Sequence, residues 1–169
     1  MNETRRIICI CSGNICRSPM AVALLRQKLS RRAIAAVVIS AGTLGIQGRR
    51  ASPFARAAVV ERDPDLAAII DEHRSQGLSR GMVEMADHLL VMAPRHEQFI
   101  RRMRLPAASR RIVRLWEHAR GNPPLGKIPD PVGRDADVFR HCCQLIDSGL
   151  DHWLDEAFPQ NDSTSEQEV

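Results

Sequence analysis

The sequence predicts an α/β fold: a single-domain, open four-stranded parallel sheet with helices on both faces and a phosphate-binding loop between the first strand and the first helix. Short apolar runs suited to buried strands alternate along the chain with stretches of helical period, the alternation that a helix-covered parallel sheet produces. A length of 169 residues suits one domain with its own core. Behind the first apolar run comes a Ser-Gly-Asn turn that leads directly into a helical pattern, so the chain reads as strand, tight loop, helix.

The first strand is the run Ile7-Ile8-Cys9-Ile10, with Cys11 where it ends. Ser12-Gly13-Asn14 is turn chemistry. Arg17-Ser18-Pro19-Met20 then opens a helix whose apolar face is Ala21, Leu24, Leu25 and Leu29. Pro19 suits a first turn, where its missing N–H has no partner to lose. There follow a strand at Ala36–Ile39, a helix around Pro53–Glu61, a strand at His88–Met92, a helix at Pro94–Met103, a strand at Arg111–Trp116 and a last helix from about Asp135 to Ala157. The Gly- and Pro-rich segment Gly121–Gly133 is too long for an ordinary connection and is either functional or disordered. Residues 1–157 read as the folded domain, and the polar, acidic residues 158–169 as a disordered tail.

Composition narrows the function classes. With 44% hydrophobic and 26% charged residues the chain is globular. Its net charge is +4 and its basic residues are almost all arginine, several in scattered pairs, while aromatics are 4% and tyrosine is absent. A nucleic-acid groove would interleave basic and aromatic residues, so no nucleic acid is expected, and the basic balance suits an anionic substrate. No run approaches the roughly 20 apolar residues of a membrane span, and no cleavage site follows the N-terminal apolar run, so no membrane association and a cytoplasmic location are expected. Five cysteines, three of them crowded at Cys9, Cys11 and Cys16, make no disulfide framework. No C-x2-C or H-x3-H pair appears, so no metal and no cofactor is expected.

Chemistry concentrates in Cys11-Ser12-Gly13-Asn14-Ile15-Cys16-Arg17-Ser18. A loop between a strand and a helix points successive backbone N–H groups into one concavity, and the helix dipole adds about half a positive charge there. That concavity fits a phosphate. Arg17 can close its planar fork on two phosphate oxygens, which a lysine point charge does less well. Cys11, beside the helix start and the guanidinium, sits where a thiol readily becomes a thiolate nucleophile.

The segment CSGNICRSPM resembles the signature loop of the low-molecular-weight protein tyrosine phosphatases, in their bacterial form, with Cys11 matching the nucleophile. Ser40-Ala41-Gly42-Thr43, His73-Arg74-Ser75, Ala86–Met92 and Ile128-Pro129-Asp130-Pro131 resemble the same family in the same order, over roughly residues 6–157. The resemblance implies hydrolysis of phosphotyrosine through a phosphocysteine on Cys11, with Arg17 as phosphate clamp and Asp130 as general acid. An Asp-Pro pair alone would be a plain turn; in this company Asp130 is the acid that protonates the leaving group. Ser18 would donate its hydroxyl to the Cys11 sulfur or simply cap the helix. Asn14, Ser40 and His73 match positions that hold the loop by hydrogen bonds, with Asn14 at a left-handed turn position. In this family a cysteine placed like Cys16 can form a reversible disulfide with the nucleophile, which makes Cys16 a possible redox partner. Cys9, Cys142 and Cys143 read as core.

Val132 and Gly133 follow the Asp-Pro pair, and Leu44 and Ile46 stand where the family often has an aromatic. The pocket rim is therefore expected to be aliphatic. A protein arginine phosphatase of the same fold is the alternative; its loop typically has threonine at the position of Ile15, and the apolar Ile15 suits a phenol ring better. An arsenate reductase would need relay cysteines between Cys16 and Cys142, where there are none. A non-catalytic phosphate-binding module is a further alternative, although both Cys11 and Asp130 are present. The implied partner is a phosphorylated protein, with a tyrosine kinase among the candidates.

Overall fold

The computed structural model describes residues 3–121, 123 and 126–159. Four parallel strands, β1 (Arg5–Cys11), β2 (Ala36–Gly42), β3 (His88–Val91) and β4 (Ile112–Arg114), lie in the order β2-β1-β3-β4. Ile7, Ile8, Cys9 and Ile10 are each at most 3% exposed. Successive strand side chains point to opposite faces, so both faces of the sheet are covered, as expected. Strand order reverses at β1, and a crevice opens at the carboxyl ends of β1 and β3. Cys11, paired across the sheet with Gly42, stands at that mouth.

The outer edge of β2 is closed by side chains and by a short bridge. Arg26 donates Nε and a terminal nitrogen to the Val38 carbonyl at 3.2 and 2.8 Å, and the Gln76 amide donates to the Ser40 carbonyl at 3.0 Å. Gly77 bridges to Gly42. These contacts occupy acceptors that another strand could otherwise use.

Among the described residues seven α-helices connect and flank the strands: α1 (Arg17–Arg31), α2 (Pro53–Arg62), α3 (Ala67–Asp71), α4 (Arg80–Met85), α5 (Pro94–Arg102), α6 (Leu115–His118) and α7 (Ala136–Ala157). Proline opens α2 and α5, Ser79 accepts from the Met82 N–H at the start of α4, and Asp135 accepts from the Val138 N–H at the start of α7. The short helices α3 and α4 lie in a stretch without a helical period long enough to read. The expected strand at 111–116 is shorter than predicted, because Leu115 and Trp116 leave the sheet to begin α6 and bury themselves there. Helix α7 matches its expected span, and Phe158 just beyond it packs edge-on against Trp153 and His88. The expected tail falls, from residue 160 onward, outside the described residues. No helix among the described residues is long and apolar enough to cross a membrane.

Helix α7 lies over α1, α2 and α6. Lys28 of α1 bonds both Asp147 (2.9 Å) and Asp151 (2.7 Å) of α7, and Arg62 of α2 bonds the same Asp147. Gly149 sets how closely α7 meets α6: a methyl group there would lie 2.9 Å from the Leu115 carbonyl oxygen and 3.1 Å from two Leu115 side-chain carbons. In α5, His96 is 0% exposed. Burial first, and then the charges of Arg17 and Arg95, push its imidazole down from 6.5 to about 3, so it is neutral in the native protein.

Two outcomes follow for stability. Alanine in a helix interior normally gains about 1 kcal/mol over glycine, but G149A forces α7 off Leu115 and should lose about 1–3 kcal/mol in urea unfolding; a gain would refute the close approach. For His96, the unfolded chain takes up a proton below 6.5 while the native protein does not until about 3. Its contribution is thus present above 6.5 and is lost on acidification, at about 1.4 kcal/mol per pH unit. H96Q, which cannot titrate, should show a correspondingly shallower fall in stability between those limits.

Candidate active site

The loop from Cys11 to Ser18 leaves β1 and runs into the first turn of α1, so the α1 N-terminus faces the concavity it encloses. Asn14 has φ 57°, the left-handed conformation expected of it. Its backbone N–H donates to Cys11 Sγ at 3.3 Å, and its carbonyl accepts from His73 Nε2 at 2.7 Å. Its side-chain Oδ1 accepts from the Gln76 N–H at 2.9 Å, while Nδ2 donates to Ser18 Oγ (2.8 Å) and Ser40 Oγ (2.9 Å).

These bonds fix a direction. The Gln76 N–H can only donate, so the Asn14 amide oxygen must face it and the amide nitrogen must face the two serines. Ser18 Oγ therefore accepts from Asn14, and its proton is left to point at Cys11 Sγ, 3.0 Å away. The sulfur thus receives a hydroxyl and a backbone N–H. Asn14, Ser40 and His73 come together as their motifs suggest. Gln76 acts largely through its backbone, and no residue type announces that.

Gly42 lets β2 approach the loop: a Cβ there would fall 2.6 Å from the Ser12 carbonyl oxygen. The next two N–H groups, of Thr43 and Leu44, donate to the Cys11 and Ser12 carbonyls at 3.1 and 3.0 Å, which carries Leu44 to the mouth of the site.

Arg17 is 2% exposed. It donates one terminal nitrogen to the Ile128 carbonyl at 3.2 Å and the other to Asp130 Oδ2 at 2.8 Å, while Nε has no partner. Asp130 Oδ2 also accepts from Arg95 at 2.9 Å. The Asp130 loop is pinned to the end of β3 by the Ile128 N–H, which donates to the Met92 carbonyl at 2.8 Å. Within the expected functional or disordered segment 121–133, residues 126–133 bring Asp130 to the cavity that Cys11 and Arg17 also line, and residues 122, 124 and 125 lie outside the described residues.

Arg95 and His96 were not legible as site residues. His96 Nε2 lies 3.0 Å from Ser12 Oγ, and its buried Nδ1 has no partner. Of the other cysteines, Cys16 lines the cavity but is pushed up to about 11, by burial first and then by Cys11 and Asp130. Burial also drives Cys9, Cys142 and Cys143 upward. They are core thiols, as expected.

Above Cys11 opens a cavity of about 690 Å³. Leu44, Ile46 and Val132 line it, and Leu44 and Val132 are about two-thirds exposed, so the aliphatic rim is present. Beyond that rim, Phe54 from α2, Phe99 from α5 and Phe139 from α7 also line the cavity, an aromatic contribution from outside the segment after the Asp-Pro pair. Three separate helices supply it, so no local motif could reveal it.

The sequence model for "Low molecular weight phosphotyrosine protein phosphatase" matches residues 6–163. A relative from Ralstonia nicotianae named "Probable low molecular weight protein-tyrosine-phosphatase EpsP" is 37% identical over 150 residues, 89% of this chain and 94% of its own. A protein-arginine-phosphatase from Geobacillus stearothermophilus is 33% identical over 146 residues, 86% of this chain and 91% of its own. Among solved structures, the low molecular weight protein tyrosine phosphatase from T. tengcongensis superposes with a TM-score of 0.78 at 25% identity, covering 90% of this chain and 99% of that one. With a family match that runs nearly end to end and relatives above 30% identity along most of its length, the chain belongs to the low molecular weight phosphotyrosine protein phosphatase family.

Proposed function

We propose that this protein hydrolyses phosphotyrosine in proteins, with Cys11 as nucleophile, Arg17 as phosphate clamp, Asp130 as general acid and Ser18 as the group that stabilises the departing sulfur. The observation that carries the reading is the pairing, on one cavity floor, of a sulfur that receives two hydrogen bonds with a buried guanidinium whose Nε has no partner. A phosphate dianion supplies the acceptor that Nε lacks, and the loop N–H groups around it supply donors.

The Cys11 thiolate attacks phosphorus, a sulfur–phosphorus bond forms, and the bond to the tyrosyl oxygen breaks as Asp130 delivers a proton to it. The arriving dianion takes the Arg17 N–H that Asp130 holds in the resting protein. In the second half, Asp130 takes a proton from water, whose oxygen attacks phosphorus and releases the Cys11 thiolate toward the waiting Ser18 hydroxyl. Ser40 and His73 hold the loop and touch no reacting atom, whereas Asn14 holds it and also donates its backbone N–H to the Cys11 sulfur.

Ile15, Phe54, Phe99 and Phe139 favour a phenol ring as the group behind the phosphate. The protein-arginine-phosphatase relative makes phosphoarginine the comparison substrate. A protein that works through a free thiol also fits a reducing compartment, and we place it in the cytoplasm. Phosphorylated proteins, a tyrosine kinase among them, are the proposed partners. Cys16 is kept as the redox partner of an oxidised Cys11 because it lines the same cavity.

Assayed side by side, phosphotyrosine peptides should turn over with a higher kcat/KM than phosphoarginine peptides, and the reverse order would transfer the assignment to the arginine phosphatases. C11S should abolish turnover yet still bind vanadate, whereas R17A should lose both. For Asp130 the informative variable is the leaving group. In single-turnover measurements D130N should slow cleavage of phosphotyrosine by a factor of about 10²–10⁴ and of p-nitrophenyl phosphate by less, because the poorer leaving group depends more on the proton. Equal losses would reduce Asp130 to a loop-shaping role.

A further inference from the structure

Helix α5 presents Arg95, Phe99 and Arg102 to the cavity, at spacings of four and three residues that place them on one face. Seven residues of helix span about 10 Å, so the stripe begins at Arg95, bonded to Asp130, and ends two turns away at Arg102. The one acidic residue of α5, Glu97, is turned aside to Arg101 and Arg114, each at 2.7 Å. Arg134 faces the same cavity from the segment after the Asp130 loop. Arg102 and Arg134 are exposed, and neither forms an ion pair among the described residues. Asp130 is the only acidic residue among those that line the cavity, and it is already shared by Arg17 and Arg95. A phosphate on the cavity floor would occupy Arg17 and leave Asp130 to Arg95, so Arg102 and Arg134 would still face the cavity without a carboxylate partner.

We propose that this lip, with Arg102 as its principal contact, selects phosphotyrosine segments that carry an acidic side chain about three residues from the phosphorylated one; this rests on the phosphatase reading above. The spacing takes the phosphorylated residue to enter beside Arg95, which shares Asp130 with Arg17; the helical rise of about 10 Å from there to Arg102 equals three residues of extended peptide. Phe99, between the two arginines, offers an apolar surface for the intervening residues. The partner is an acidic peptide segment, because exposed guanidiniums without partners attract carboxylates through solvent over about a Debye length.

The test uses phosphotyrosine peptides that differ only three positions before or three positions after the phosphorylated residue, with Glu, Gln or Lys at that site, at low ionic strength. On one of the two sides kcat/KM should fall in the order Glu, Gln, Lys, with Glu over Gln by about two- to fivefold, the worth of an exposed ion pair. The gap should shrink as salt is added. R102E should invert the order, and R102Q should bring the three peptides together. A Glu-to-Gln ratio unchanged in both variants, or equal rates for all three peptides on both sides in the unaltered protein, overturns the proposal while leaving the phosphatase reading in place. Failure of the unaltered protein to cleave p-nitrophenyl phosphate overturns that reading itself and this proposal with it.

Discussion

The geometry of the site depends on Asn14, a buried residue in a left-handed conformation whose every polar group is bonded. An asparagine side chain tolerates that conformation where most residues pay about 1–2 kcal/mol. Any of these buried partners left without a bond would cost about 1–3 kcal/mol, so the network offsets the backbone cost and favours one loop shape. Through it the loop is tied to β2 by Ser40 and to the segment before α4 by His73 and Gln76. Orientation passes along the same bonds, from the Gln76 N–H through the Asn14 amide to the Ser18 hydroxyl and so to the sulfur.

The contiguous parts of the site were legible in the sequence, and the assembled parts were not. Cys11 to Ser18 lies in one loop whose residue types each have a local reason to be there, and Asp130 precedes a proline in a segment too long to be a mere connection. By contrast, Arg95 and His96 belong to an ordinary amphipathic helix, and only the crossing of α5 over the mouth of β1 gives them a role. The cavity's aromatic wall shows the same limit, since Phe54, Phe99 and Phe139 are scattered over α2, α5 and α7. For the fold, the periodic elements β1, α1, α5 and α7 could be read directly, whereas α3, α4 and α6 are too short for a period to show. Leu115 and Trp116 look like strand residues because apolarity records that they are buried, whereas their helical path, with Leu115 close against Gly149 of α7, is a tertiary matter.

In the resting protein Asp130 occupies one of the nitrogens that a phosphate would use, so substrate and carboxylate compete for Arg17. A guanidinium held by Ile128, Asp130 and the shape of its own pocket needs little rearrangement when the anion arrives, because the loop is fixed at Met92 and Arg95 can retain the carboxylate as Arg17 changes partner. Ground-state binding is weakened by that competition. On the proposed mechanism transition-state binding is not weakened in the same measure, since by then Asp130 would be giving up its proton to the leaving oxygen.

The same contact bears on how each catalytic cycle would close. Inorganic phosphate is the last species in the site, and it sits on Arg17 with the charge of the substrate but without a ring to grip Ile15 and the phenylalanines. On the proposed mechanism the Asp130 carboxylate would stand next to it and could reclaim the Arg17 nitrogen. The protein thereby contains its own competitor for the product, a tethered anion that never diffuses away, and the ion pair that blocks the empty site also serves to clear it.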